Sequence, residues 1–421
     1  AASLLDDVWM HGGDDLSLAR SIRDGWPEAG MPAFGGALSD EEVRALVIFI
    51  REKVDEAKRA VTVYAKPAGD TVVKGEEHSF RVETVAEGLD TPWSVAFLPD
   101  GRLLVTEKPG RLRILEKGRL LPEPVAGVPL VWSQGQGGLM DVAVHPDYAK
   151  NGWIYLSFSD PGEDGTAMTK VVRGRIRDGR LDDQQTLFEA PRPLYRRGEV
   201  HFGSRFVFDG QGHLFFTIGE RGHQEDAQDL SRPNGKVHRI RDDGRVPEDN
   251  PFAKQPGAMP TIWSYGHRNP QGLARHPITG ALYDAEHGPR GGDELNLVLP
   301  GRNYGWPVIT YGMNYDGSPI TALTAKPGME QPVVHWTPSI AVCAIDFYTG
   351  DRFPRWRNDL LVSSLAAEEL RRLVFDGEKL LKQEVLFKGI GRVRDVVVGP
   401  DGLVYVALNG PDRVARLVPV P

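Results

Sequence analysis

The chain has 421 residues, with 50 Lys and Arg against 58 Asp and Glu, and this net charge of −8 excludes the basic face that a nucleic-acid binder needs. Apolar residues make up 40% and charged residues 26%, enough for a sizeable core, so wholesale disorder is excluded. No run of about 18 apolar residues predicts a transmembrane segment, and the single cysteine, Cys343, excludes an intrachain disulfide, a cysteine-based zinc site and an iron–sulfur cluster.

The first predicted elements are helical. Residues 12–38 are loop-rich, with a short helix over 16–23. A longer helix over 38–60 opens on a Ser-x-x-Glu capping box, Ser39 with Glu42, and carries Val43, Leu46, Val47, Ile50 and Val54 at helical spacing. The pentapeptide Gly30-Met31-Pro32-Ala33-Phe34 lies just before it.

Together, the loop methionine and the following helix resemble the second half of a class I cytochrome c, in which a soft thioether is the sixth haem ligand. Covalent haem attachment needs Cys-x-x-Cys-His, which this sequence does not contain; an ordinary apolar contact is the other reading of Met31. The resemblance implies a partial cytochrome c-like segment over 1–60, a cytochrome–enzyme fusion in origin, with haem c expected only where a missing N-terminal half supplies it. Residues 61–77, marked by Pro67, Gly69 and Asp70, read as a linker.

Residues 78–421 carry short alternating strands broken by turns, in keeping with 48 Gly and 32 Pro. One element, an apolar strand, a turn with Pro, Asp or Gly, and a second apolar strand, recurs six times: over 95–105, 142–158, 206–218, 273–283, more loosely over 344–363, and over 396–408. A hairpin cannot bury its apolar face alone, so stacked units are implied. With about 60 residues per unit, the expected fold is an all-β, six-bladed β-propeller; a pair of β-sandwiches is the alternative on periodicity. A propeller binds ligands at one end of its channel through loops from several blades, so its chemistry is scattered along the sequence.

Four motifs carry such chemistry. In Val200-His201-Phe202-Gly203-Ser204-Arg205-Phe206-Val207-Phe208, alternation places Phe202, Phe206 and Phe208 on one face and His201, Gly203 and Arg205 on the other. His201 suits general-base work, although a lone histidine is more often structural. In Gly266-His267-Arg268-Asn269-Pro270-Gln271-Gly272, Arg268 offers a rigid fork and Asn269 both a donor and an acceptor. Glu286-His287-Gly288-Pro289-Arg290-Gly291-Gly292-Asp293-Glu294 exposes carbonyls and carboxylates, hard ligands that suit calcium, or else forms a solvated acidic turn. In Gly391-Arg392-Val393-Arg394-Asp395, two arginines at i and i+2 share a strand face and suit a polyanion, or else a solvated edge.

With Gln136-Gly137-Gly138-Leu139-Met140 and Asn303-Tyr304-Gly305-Trp306-Pro307, these motifs resemble, in this order and over about residues 78–419, the soluble PQQ-dependent aldose sugar dehydrogenases of the glucose/sorbosone dehydrogenase family. The resemblance implies oxidation of an aldose at C1 to its lactone. His201 matches the catalytic base, with hydride passing to PQQ C5. Gln136, Arg268, Asn269, Tyr315, Arg392 and Arg394 match cofactor contacts. The carbonyls of Gly288 and Pro289 match ligands of a calcium beside PQQ, and Glu294 and Tyr304 match ligands of a second, structural calcium. It further implies reoxidation by a cytochrome, quinone or dye acceptor, and an exported, periplasmic location.

Two departures stand out. The family usually carries a Lys after Ser-Leu in the fifth blade, where Ser364-Leu365 here precedes Ala366; Arg290 and Arg371 are the candidate substitutes. Val200 stands where glucose-optimised members have Asp, which favours the broader aldose-oxidising branch. The competing reading is a non-catalytic propeller that binds a protein or carbohydrate. A propeller lactonase is a third.

Overall fold

The computed structural model describes residues 3–6 and 8–420. Each of the six recurring elements forms the first two strands of an antiparallel sheet, and six such sheets make the blades of a propeller. Blade 1 runs Pro92–Phe97, Leu103–Glu107, Arg111–Glu116 and Arg119–Leu120. Its first turn closes through Leu98 N–H on Arg102 O at 2.8 Å, with Gly101 at φ 87°, a conformation that glycine adopts without steric cost. Blade 2 spans Leu139–Val144 to Arg180–Phe188, blade 3 Phe206–Phe208 to Ile262–Tyr265, blade 4 Pro270–Arg275 to Val334–Trp336, and blade 5 Val342–Phe347 to Lys379–Lys388.

Blade 6 closes the ring with strands from both parts of the chain. Arg392–Val398, Val404–Asn409 and Arg413–Val420 are joined by Ser79–Ala86, which pairs with the last of them from Ser79↔Val420 to Ala86↔Val414. Val73–Lys74 then adds a fifth strand, so pairing begins inside the stretch expected to be linker. Apolar residues fill the seams between blades, as Leu104 and Leu112 of blade 1 do against Ile154 and Leu156 of blade 2.

The first strands line the central channel, and one charged hub crosses it. Arg205 Nη1 lies 2.8 Å from Asp395 of blade 6 and 3.2 Å from Asp141 of blade 2. Its Nε donates to Gln271 O of blade 4 at 3.0 Å, and its guanidinium stacks 4.4 Å from the ring of Trp93 in blade 1. Burial opposes the charge of Arg205, but the Asp395 and Asp141 carboxylates outweigh it and hold the group ionised.

Two helices precede the ring: α1, Asp15–Asp24, and α2, Asp40–Val61. The predicted capping box is formed, with Glu42 N–H on Ser39 Oγ at 3.2 Å and Ser39 N–H on Glu42 Oε2 at 2.8 Å. Val43 and Val47 of α2 pack on Leu18 and Ile22 of α1, whereas Leu46, expected on the same apolar face, is 38% exposed. The opposite side of α2 is tied to blade 4. Glu52 takes both Nε and Nη2 of Arg290 at 2.8 and 2.7 Å, and Arg44 donates to Tyr311 O at 3.1 Å.

Candidate active site

The segment from His201 to Ser204 is not a strand. His201, Gly203 and Ser204 have φ of 56°, 63° and 93°, so the alternation expected over 200–208 holds only for Phe206–Phe208. Contacts from three neighbouring segments override the strand pattern. His201 N–H donates to Gln136 Oε1 at 2.9 Å, Gly203 N–H to Asn269 Oδ1 at 3.1 Å, and Ser204 N–H to Thr217 O at 2.8 Å. A left-handed conformation on a histidine costs about 1–3 kcal/mol and persists only where the surroundings impose it. They leave no slack: a Cβ on Gly219 would lie 2.5 Å from His201 O and 2.8 Å from Asn269 Oδ1.

His201 is 9% exposed, and its Nδ1 bonds the carboxylate of Glu220, which is buried. Donation from Nδ1–H leaves Nε2 as the proton acceptor. Burial lowers the imidazole pKa below its ordinary value; the Glu220 hydrogen bond raises it in part, and Arg268 lowers it further. The ring is therefore neutral at neutral pH, with Nε2 open to a proton. Beside it, Arg221 stacks 3.5 Å from the Phe202 ring and donates to Gly198 O at 2.8 Å and to Val200 O, holding the loop on which His201 sits. Burial pulls Arg221 down to about 9. Sequence reasoning missed Glu220; its one sequence signal is an acidic side chain ending the apolar strand His213–Ile218 two residues on.

Arg268 and Asn269 form the adjoining wall. Arg268 Nη1 donates to His287 O at 3.0 Å and Gly288 O at 2.8 Å, and its Nε is a buried donor without a protein acceptor. The Asn269 side-chain N–H₂ is likewise buried and unpartnered, as is His287 Nε2. Burial and the Arg268 charge keep His287 neutral, with its pKa well below the ordinary value. Arg394 donates to Gln271 Oε1 at 3.0 Å, and Arg392 is exposed at the start of the same strand. A bulge between Val393 and Asp395 interrupts that strand at Arg394, so simple i, i+2 alternation does not govern the two arginines. Arg268, Arg392 and Arg394 make no ion pair among the described residues. Tyr315 stands 72% exposed on a loop and makes no side-chain hydrogen bond among the described residues.

The acidic loop divides into two roles. Asp293 is consumed by the loop itself: Oδ1 accepts from Gly288 N–H at 2.9 Å and Ser339 Oγ at 2.7 Å, and Oδ2 from Ile340 N–H at 2.9 Å. Burial raises it to about 6. Glu294, itself half-buried, adjoins instead a buried group of Glu286, Asp284, His267 and Asn296. Burial and then the Glu286 charge push the Glu294 pKa well above the ordinary value. Burial alone would depress His267, but Asp284 and Glu286, each 3.1 Å from its Nδ1, push it up to about 9. Among the described residues, Asn296 Oδ1 accepts no hydrogen bond.

Glu286, Glu294, Tyr304 and Gly288 line one small cavity. The neighbouring Glu286 and Glu294 carboxylates on this cavity, whose charges oppose each other, are hard oxygen ligands that fit a calcium ion. The Tyr304 hydroxyl is already engaged by Leu297 O at 2.5 Å and Leu299 N–H at 2.8 Å, which leaves its main-chain carbonyl as the available ligand. At the mouth, orphaned buried donors on Arg268 and Asn269 and unpaired cations fit a planar, acceptor-rich polyanion such as PQQ.

A separate apolar cleft on the helical segment is lined by Trp9, Leu18, Ile22, Trp26, Met31 and Phe34, with His11 stacked 3.6 Å from Trp26. Among the described residues, no helix is long and apolar enough to cross a membrane.

The family described as Glucose / Sorbosone dehydrogenase matches residues 89–416. The aldose sugar dehydrogenase YliI of Escherichia coli (strain K12) is 45% identical over 331 residues, covering 77% of this chain and 89% of that protein. The crystal structure of the soluble aldose sugar dehydrogenase from Escherichia coli in the apo form is similar at a TM-score of 0.76 and 42% identity, covering 81% of this chain and 100% of that one. The PQQ-bound form of the aldose sugar dehydrogenase from Streptomyces coelicolor is similar at a TM-score of 0.65 and 28% identity, covering 85% and 100% of the two chains.

Proposed function

Because the chain belongs to the glucose/sorbosone dehydrogenase family, we propose that it oxidises aldose sugars at C1 to the lactone in a PQQ-dependent reaction with calcium. The observation that carries this reading is the His201–Glu220 pair, with Nε2 free, beside cations that have no carboxylate partner. His201 Nε2 takes the proton of the C1 hydroxyl, and Glu220 holds the ring and stabilises the imidazolium that forms. When bound, PQQ would supply the hydride acceptor and calcium a Lewis acid. Gln136, Arg268 and Asn269 hold the quinone edge, Arg392 and Arg394 the carboxylates, and Tyr315 the rim. The main-chain carbonyls of Gly288 and Pro289 serve the calcium beside the cofactor, and Glu294 and Tyr304 serve the second.

The expected electron acceptor is a cytochrome, quinone or dye. The cytochrome c-like reading of residues 1–60 is supported by the apolar cleft bearing Met31; haem c enters it only with an attachment motif outside this sequence. A periplasmic location rests on the family resemblance.

Reconstitution with PQQ and calcium, followed by dye reduction with a panel of aldoses, tests the proposal. Sugar-dependent reduction that requires PQQ is the expected result. PQQ binding without turnover on any aldose would favour the non-catalytic propeller. Glu220→Gln is expected to lower kcat by about 10–10²-fold, less than loss of the base itself. Glu220 raises the His201 pKa, so its removal should also move the acid limb of the kcat/KM profile to lower pH; an unmoved limb would exclude the pairing.

A further inference from the structure

The missing fifth-blade lysine leaves a gap in the cation set, and neither candidate substitute fills it. Arg290 is held by both oxygens of Glu52, and Arg371 is paired with Glu369 and bonded to Gln383. Ala366 itself is exposed and bears no charge.

A lysine from another blade lies at the same mouth. Lys108 follows the second strand of blade 1, and its carbonyl accepts from Leu139 N–H at 3.0 Å and Ser133 Oγ at 3.3 Å. These contacts seat it against the loop that carries Gln136. The approach is close: a Cβ on Gly138 would lie 2.2 Å from Lys108 O and 2.6 Å from its Cγ, so only glycine there admits the lysine stem. The side chain is half-buried and makes no hydrogen bond or ion pair among the described residues. Burial and then the Arg394 charge lower its pKa; the Asp90 and Glu199 charges oppose this in part, without forming an ion pair with it. A half-buried ammonium without a counter-ion beside a second unpaired cation is unfavourable unless an anion arrives.

We propose that Lys108 is a cofactor-holding residue that supplies the cationic contact to a PQQ carboxylate which the fifth blade lacks. This rests on the PQQ reading above. The cation is moved from blade 5 to blade 1, beside the Gln136 loop and Arg394, while the charge presented to the tricarboxylate is kept.

The test is a fluorescence titration of PQQ into the calcium-loaded protein. It compares the unaltered chain with Lys108→Ala, Lys108→Gln and Lys108→Arg, with Arg392→Ala as positive reference and Lys150→Ala, on a distant surface helix, as negative reference. Lys108→Ala and Lys108→Gln should each raise the midpoint about 10-fold at low salt, and the difference should shrink as salt screens the contact. Lys108→Arg should stay within about threefold of the unaltered chain. The trimethyl ester of PQQ should bind the unaltered chain and Lys108→Ala alike. Midpoints for both neutral variants equal to that of the unaltered chain, with Arg392→Ala weakened, would overturn the Lys108 assignment alone. Equal weakening of the ester and the free acid would also overturn it, since the effect would then be steric. No PQQ binding by the unaltered chain would remove the cofactor reading and this assignment with it.

Discussion

His201→Ala is expected to lower aldose turnover by about 10²–10⁴-fold while the PQQ titration midpoint stays within about twofold. The two effects separate because the ring serves the reacting proton, whereas the cations that would hold the cofactor are on Arg268, Arg392 and Arg394. His201 does contribute to the local frame, but through its main chain: its N–H meets Gln136 Oε1, and its carbonyl packs on Gly219. Alanine retains both contacts. What is lost is Nε2 as proton acceptor, and Glu220 is left as a buried carboxylate without its imidazole. The measurement is steady-state dye reduction at saturating PQQ, paired with a binding titration. Undiminished turnover would remove His201 from the mechanism.

Arg205→Met should destabilise the fold by about 3–5 kcal/mol, because it strands two buried carboxylates rather than removing a pair. Asp141 and Asp395 come from different blades, and Arg205 is the cation that lies between them; their remaining donors, Ser94 Oγ and the main-chain N–H groups of Val95, Val142 and Phe206, carry no charge. Burial, partly offset by Arg205, already holds Asp395 at about 6. Without Arg205 both folded-state pKa values rise further above the unfolded value of about 3.9. The deficit is then full above those raised values and shrinks as pH falls and both carboxyls become protonated in folded and unfolded chains alike. Urea unfolding at pH 8 and pH 5 should show the larger loss at pH 8. The triple variant Arg205→Met, Asp141→Asn, Asp395→Asn should recover much of it. A loss independent of pH would mean that packing on Trp93, not charge, is what Arg205 provides.

Much of the ring was legible because each blade announces itself locally. A strand, a tight turn and a second strand occupy a short window, and all six such windows fall on the inner strands of the six blades. The ring closure was less visible: Ser79–Ala86 meets Arg413–Val420 across almost the whole ring, and nothing local to Val73–Lys74 marks it as paired. The site divides in the same way. Contiguous motifs exposed Arg268, Asn269 and the Gly288–Glu294 loop. Glu220 stayed hidden because it meets His201 only where the loop before Phe206–Phe208 and the loop after His213–Ile218 converge, which no spacing encodes. Lys108 stayed hidden because it reaches the mouth from a blade that carries no motif. Alternation around His201 misled, since three hydrogen bonds from outside the segment force the chain out of the extended conformation. Composition could not distinguish Asp293 from Glu294, adjacent acids of which one braces the loop and the other joins a buried carboxylate group.

The double hydrogen bond between Glu52 and Arg290 gives the helical segment more than an anchorage. Arg290 directly follows Gly288 and Pro289, whose carbonyls are proposed to serve the calcium beside the cofactor. Loop order and helix docking are therefore linked functions, and such linkage is reciprocal. Whatever free energy the seated α2 lends to the ordered loop, a filled site returns to the seating of α2. Helix release and cofactor release become two faces of one equilibrium, and a partner that grips residues 1–60 would alter affinity at the channel mouth without touching it.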